Sequence, residues 1–264
     1  MNILSYYIIL LLTIIFKLFI KLDKNMINAA ILGLGWWGKH ITETLSKSSL
    51  IQIKAACSRT KEKHTQFIEE HNLKYYKNYI DLLSDNEIDA IIICTPNSQH
   101  EEQALMAIDA KKQVFCEKPM TLKSKSANKM INAAKKSKLI LGIGHERRFD
   151  PAMEMLKKTI EHKSFGKKMH IEANWSHDIL AGLDSDNWRG TSDEAPAAGM
   201  TGTGVHMTDL FLSMFGLSCM IFDMASKSCA FTIEAFSCAS ISFVNGLKFT
   251  VFLSSLPQAQ RLYL

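Results

Sequence analysis

Ile27-Asn-Ala-Ala-Ile-Leu32 runs directly into Gly33-Leu-Gly35-Trp-Trp-Gly38, and a helical pattern carrying Ile41 and Leu45 follows. Few folds accept that order of buried strand, glycine turn and helix. The first N–H groups of a helix lack intrahelical partners and carry positive polarity, so such a turn is a ready anion site. The three glycines have separate jobs. Gly33 permits the turn, Gly35 lets the backbone approach a pyrophosphate, and Gly38 lets the helix pack close to the strand. The pattern predicts a dinucleotide site, with Trp36 and Trp37 covering the ligand and packing the turn.

From Met26 onward strand and helix patterns alternate: strands at Ile51–Cys57, Ile88–Cys94, Gln113–Cys116 and Leu139–Gly144, helices at Thr60–Asn72, His100–Ala110 and Lys123–Ser137. This alternation predicts an α/β fold built on a doubly wound parallel sheet. Ligands bind such sheets beyond the carboxyl ends of the strands, which should gather Ser58, Thr95, Glu117 and Lys118 at one edge. Thr95-Pro96-Asn97 reads as a turn and helix-capping sequence, with His100 opening the next helix.

Glu117-Lys118-Pro119 places a lysine where the sheet delivers side chains into its crevice, and Lys118 is the first catalytic candidate. An ammonium there stabilises a developing alkoxide, and partial desolvation brings proton exchange toward neutrality. Cofactor choice is argued from the end of the second strand. An NAD site wants an acidic side chain there for the ribose 2′-OH, but the chain offers Cys57-Ser58-Arg59-Thr60-Lys61. A hydroxyl and a guanidinium suit a 2′-phosphate, so NADP(H) is favoured over NAD(H). The competing reading makes Arg59 the start of a solvated helix.

A chain of 264 residues that is 47% hydrophobic can bury a large core and form two domains. Its net charge of +5 is partly contributed by Lys17, Lys21 and Lys24 against Asp23, and nothing points to a nucleic-acid partner. Six cysteines show no CxxC spacing; they read as reduced and structural, as in cytoplasm, and no metal site is expected. Residues 3–20 are almost wholly apolar apart from Lys17, near the minimum for a membrane span. Either they anchor a cytoplasmic domain, the lysines lying on the inner side, or residues 1–25 are an upstream reading and translation begins at Met26.

Five blocks resemble the glucose-fructose oxidoreductase and inositol 2-dehydrogenase (Gfo/Idh/MocA) family: Gly33–Gly38, Asp89–His100, Glu117-Lys118-Pro119, Gly144–Phe149 and Gly204–Asp209. The resemblance implies a Rossmann domain over 26–145, then a domain over 146–264 with an open-faced, mainly antiparallel sheet that holds substrate and oligomerises. It implies a homo-oligomer, a sugar or polyol substrate, and a cis peptide at Lys118-Pro119. Thr95, Pro96, Asn97, His100 and Glu117 would lie along the cofactor, and Lys118 beside the nicotinamide.

His206 and Asp209 lie three apart on a predicted helix, Gly204 to Phe215, so both face one way. Read alone, His206 is a cap or a core histidine. The resemblance implies a catalytic role for it and substrate binding for Asp209. The family's better-known pattern has an aspartate four residues before that histidine, where this chain has Gly202. Trp175, Trp188 and Arg189 are candidates for walling a sugar pocket. Arg148 reaches a substrate oxygen or holds the two domains together. Strands are predicted at Phe231–Cys238, Ala239–Val244 and Leu247–Ser254 around an Asn245-Gly246 turn, and Arg261–Leu264 begins another. Family members continue for several tens of residues more, so the chain reads as shortened at its C-terminus. Two functions remain open: an oxidoreductase acting on a hydroxyl-bearing carbon, and a catalytically silent dinucleotide-binding remnant.

Overall fold

The computed structural model describes residues 26–166, 168–175, 187–216, 223–224, 230–232, 239–242 and 247–253. The apolar segment 3–20, Cys219, Cys229, Cys238, the Asn245-Gly246 turn, residues 233–238 and residues 254–264 lie outside them. The chain divides into two compact units, the first ending at Glu146 and the second beginning at Arg147.

In the first unit β1 (Ile27–Leu32), β2 (Ile51–Cys57), β3 (Lys74–Tyr76), β4 (Ala90–Ile93), β5 (Gln113–Cys116) and β6 (Leu141–Ile143) form one sheet ordered β3-β2-β1-β4-β5-β6. Every pairing in it is parallel. The chain winds outward from β1 to β3, returns to the other side of β1 with β4, and continues outward. The reversal between β1 and β4 is the switch point at which doubly wound sheets open a crevice. Strands near that point are buried on both faces, which explains the apolar runs of β1 from Ala29 onward and of β4. At the start of β2, exposed Gln52 and Lys54 alternate with buried Ile51 and Ile53.

Helices α1 (Trp36–Leu45), α2 (Thr65–Glu70), α3 (Tyr79–Leu83), α4 (His100–Asp109) and α5 (Ser124–Ser137) connect the strands. Ala104, Ala107 and Ile108 of α4 and Met130 of α5 pack with Ile91, Ile93 and Val114 of the sheet. Each large aliphatic side chain so buried contributes about 1.5–3 kcal/mol. The helix predicted over Thr60–Asn72 is shorter than its pattern: a tight 3-10 turn at Glu62–His64 precedes α2, and Asn72 ends the segment in a left-handed conformation with φ of 50°. Edge strand β3 and helix α3 were not predicted. Asp85 secures this edge, taking the Tyr76 hydroxyl and, at 3.0 Å, the Lys74 ammonium.

In the second unit α6 (Pro151–Glu161) and α7 (Val205–Phe215) share a core with Ala173 of β7 (Lys168–Trp175). Helix α6 was also not predicted, although Asp150 caps it, accepting from Ala152 N at 2.9 Å, and Pro151 opens it. Met153, Leu156 and Ile160 supply its buried stripe, and Met207, Leu210, Phe211 and Met214 that of α7. With β8 (Asp223–Met224), β9 (Ala230–Thr232), β10 (Ala239–Ser242) and β11 (Leu247–Leu253), β7 forms an antiparallel sheet ordered β10-β11-β7-β9-β8.

Candidate functional site

At the carboxyl edge of the first sheet the glycine turn is built as its residue types require. Gly33 has φ of +101°, and a Cβ there would lie 2.7 Å from the carbonyl oxygen of Cys94. A Cβ on Gly38 would lie 2.0 Å from the Gly33 oxygen, so only glycine lets α1 come this close to the turn. Gly35 differs from both: its φ is −68°, and nothing lies within 4 Å of a Cβ placed on it. The protein's own packing does not need a glycine there, whereas a phosphate approaching the N-terminus of α1 would.

Ser58 follows β2. Its hydroxyl is buried without a hydrogen-bond partner, while its carbonyl accepts from the Tyr75 hydroxyl at 2.7 Å. Arg59 and Lys61 follow Ser58 in sequence. Arg59 is exposed, Lys61 Nζ lies 5.6 Å from the Tyr75 ring centroid and Lys39 Nζ 5.1 Å from that of Phe67. His64 is held below its ordinary pKa by burial, then by the charges of Lys39 and Lys63. An unpaired buried hydroxyl beside cations suits an anionic oxygen ligand.

Beyond β4, the Thr95 hydroxyl donates to Gln103 Oε1, and Pro96 and Asn97 lead through a single 3-10 turn into α4. Asn97 does not cap that helix; Gln99 holds the cap position without a capping bond, its Oε1 accepting instead from Gln103 Nε2 at 3.0 Å. His100 is fully buried, with Nδ1 2.9 Å from the Pro119 oxygen and Nε2 3.0 Å from the Thr95 oxygen. It ties the loop after β4 to the loop after β5. The Lys118-Pro119 peptide between them is cis.

Glu117 and Lys118 follow β5. Glu117 is only 7% exposed, and its Oε2 accepts from the Lys118 backbone N–H at 3.2 Å. A Cβ on Gly144, just past β6, would stand 2.5 Å from Glu117 Oε1, so that glycine makes room for the carboxylate. Burial, and then the charge of Glu146, push the Glu117 carboxyl up to about 7, against smaller opposing effects of Trp37 and Lys118. The Trp37 indole nitrogen is buried without a hydrogen-bond partner, while Trp36 is 72% exposed and stacks on His40 with ring centroids 5.8 Å apart. Glu146 and Gly144 were not singled out in the sequence as site residues. The nearness of β5 to β6 gives them their meaning, and no local pattern carries it.

The second unit holds the remaining candidates. His206 and Asp209 are both buried on α7, 5% and 7% exposed. Arg148 grips Asp209 with both arms, Nε to Oδ2 and Nη2 to Oδ1, each at 2.5 Å. Arg148 thus holds a helix of its own unit, and both carboxylate oxygens of Asp209 are engaged by it. Gly202 lies in a π-helical turn, Met200–Gly204, with open space where a Cβ would stand. The Arg189 guanidinium lies 4.4 Å from the centroid of its neighbour Trp188. Of Trp175 only the backbone, at the end of β7, is among the described features.

Strand order, the glycine turn and the Glu117-Lys118 edge agree with the profile of an oxidoreductase family with an NAD-binding Rossmann fold, Gfo/Idh/MocA, which matches residues 27–145. This stretch belongs to the Gfo/Idh/MocA family. A myo-inositol 2-dehydrogenase of Thermotoga maritima is 38% identical to the chain over 94 residues, 36% of this chain and 28% of the relative. A scyllo-inositol 2-dehydrogenase (NAD(+)) of Bacillus subtilis is 31% identical over 152 residues, 56% of this chain and 44% of that one. Among solved structures, an oxidoreductase of Desulfitobacterium hafniense described as NADPH-dependent superposes with a TM-score of 0.68 at 27% identity, covering 73% of this chain and 56% of that one. The chain spans less than half the length of these curated relatives. Among the described residues, no helix of the chain is long and apolar enough to cross a membrane.

Proposed function

We propose that the chain is an NADP(H)-dependent oxidoreductase acting on a hydroxyl-bearing carbon of a sugar or polyol. The observation that carries this reading is Glu117-Lys118 at the carboxyl end of β5, on the same sheet edge as a glycine turn whose Gly35 leaves room for a pyrophosphate. The residues present fit the cofactor, because the turn is open where phosphates would lie and Ser58 offers a buried hydroxyl beside cations. The nicotinamide supplies hydride transfer when bound. Lys118 places an ammonium against the substrate oxygen, stabilising alkoxide character as the proton moves. His206 is the second proton-handling residue, and Arg148 with Asp209 fixes the helix on which it stands. Ser58 and Arg59, with Lys61 over the Tyr75 ring whose hydroxyl bonds Ser58, favour a 2′-phosphate and hence NADP(H). Cys57, Cys94 and Cys116 are free thiols, and burial raises the pKa of all three, which suits a reducing, cytoplasmic setting.

The test is a screen of sugars and polyols with NADP+, followed by nicotinamide absorbance, for the full chain and Lys118→Ala. Turnover that falls at least about 100-fold in the variant supports the reading. Turnover unchanged by the variant overturns the role of Lys118. One observation favours a second reading, a dinucleotide-binding protein without turnover: Gly202 offers no carboxylate where the family's better-known pattern has one. Cofactor binding with no turnover on any substrate would support it.

A further inference from the structure

The short turn that follows β2 holds two orphaned polar atoms. Ser58 Oγ opens it and His64 Nδ1 closes it, and each is buried without a hydrogen-bond partner. Buried polar atoms ordinarily find one, so two exceptions on one turn point to a ligand. The ends of the turn are tied together. The Tyr75 hydroxyl donates to the Ser58 carbonyl at 2.7 Å, Lys61 Nζ lies 5.6 Å from the Tyr75 ring centroid, and the Lys61 carbonyl accepts from the His64 backbone N–H at 2.8 Å. His64 stands at the cap position of α2, yet its ring makes no capping bond, so the usual task of a residue there does not account for it. The charges whose fields reach the ring share one sign: Lys39 acts from α1 and Lys63 from the same turn, and with burial, the larger cause, they hold His64 below the ordinary histidine value. Lys61 and Glu62 also stand on this turn, and Arg59 is exposed beside Ser58. The ring of the free chain is therefore neutral near pH 7.

We propose that His64 is a specificity-determining residue of the cofactor site: with the Ser58 hydroxyl it binds the 2′-phosphate, and it takes up a proton as that phosphate arrives. A dianion at this turn offsets the lysine charges and favours the imidazolium, whose Nδ1–H then donates a charge-assisted bond to a phosphate oxygen. The 2′-hydroxyl of NADH carries no charge and draws no proton onto the ring. Preference for NADPH is therefore greatest at the acid end of the neutral range and weakens as pH rises. The inference rests on the proposed NADP(H) reading, and on binding rather than turnover.

The experiment is titration of the full chain with NADPH and with NADH between about pH 7 and about pH 8.5, following tryptophan quenching, for the parent, His64→Gln and His64→Lys. This range lies above about pH 6, where a phosphate monoester loses its second proton, so the ligand stays a dianion throughout. Taking the ratio of the two Kd values cancels titration at the nicotinamide end, that of Glu117 included. The expected ratio in the parent favours NADPH at least about threefold more at the lower pH, is flat in His64→Gln, and is flat and high in His64→Lys. Calorimetry in buffers of different ionisation enthalpy should show proton uptake on NADPH binding that His64→Gln abolishes. A ratio independent of pH in the parent, or a pH dependence that survives in His64→Gln, overturns the proposal and leaves NADP(H) binding standing. If His64→Gln does not fold, His64→Lys decides, and a parent-like pH dependence there counts against the ring. Binding of neither nucleotide, or tighter binding of NADH, overturns the cofactor reading and this inference with it.

Discussion

Replacing Gly35 with alanine separates what the turn does for the fold from what it does for a ligand. In the free chain the substitution is nearly neutral. The φ of −68° suits any residue and no atom lies within 4 Å of the new Cβ. Alanine is a poorer helix cap than glycine, by up to about 1 kcal/mol, but it gains about 0.4–1 kcal/mol by restricting the unfolded chain. The net change is within about 1 kcal/mol, a shift in Tm of about 2–4 °C at most for a chain of this size. A pyrophosphate on the N-terminus of α1 would meet that methyl and have to retreat. Weakening two charge-assisted hydrogen bonds, each contributing about 1.5–3 kcal/mol, should raise the Kd for NADPH roughly 100-fold, or about 2.7 kcal/mol. Gly38→Ala is the opposite case. A Cβ 2.0 Å from the Gly33 oxygen forces α1 away from the turn, and melting should show a loss of about 3 kcal/mol or more before any ligand is added. The assay is a fluorescence titration with NADPH beside thermal melting of both variants. Parent-like affinity in Gly35→Ala would refute the placement of a pyrophosphate at this turn.

Because the Glu117 carboxyl is raised from 4.5 to about 7, the folded chain keeps a proton that the unfolded chain has released. The resulting stability is fully present below the unfolded value and is lost as pH rises through about 7. The slope amounts to at most about 3 kcal/mol, and Glu117→Gln should flatten it; parallel denaturation profiles for the two proteins would contradict the shift. Arg148→Ala leaves the buried Asp209 carboxylate without its fork, at a cost of about 1–3 kcal/mol after allowing for the 44% exposure of the arginine side chain. Adding Asp209→Ala should recover part of that loss in a double-mutant cycle, and strict additivity would argue against the pair. His100→Leu removes the ring that joins the Thr95 and Pro119 carbonyls, and should cost about 1–3 kcal/mol together with NADPH affinity. Unchanged melting would show that the two loops hold without it.

The first unit was legible in the sequence where periodicity runs long enough to speak. Strands β1, β2 and β5 fall where their apolar runs placed them, and the glycine turn and the Glu117-Lys118 edge were visible because residue types there are dictated by backbone and ligand geometry. Elements of three to five residues, β3 and α3, carry too little pattern to stand out, and β3 is held by Asp85, nine residues beyond Tyr76. Helix α6 is a different case: Asp150-Pro151 and the spacing of Met153, Leu156 and Ile160 are a local signature of it. In the second unit, Arg148 and Asp209 were each marked as candidates, yet their partnership spans 61 residues and is set by how α7 packs. Glu146 shows the same limit. A glutamate at the end of a strand reads as solvated until the neighbouring strand brings a second carboxyl beside it.

The most direct test of the account is titration of the full chain with NADPH and with NADH, following tryptophan quenching, alongside Arg59→Ala. The account predicts that NADPH binds tightly, NADH more weakly, and that Arg59→Ala removes most of the difference. Failure of both nucleotides to bind, with the chain folded by circular dichroism, would contradict it.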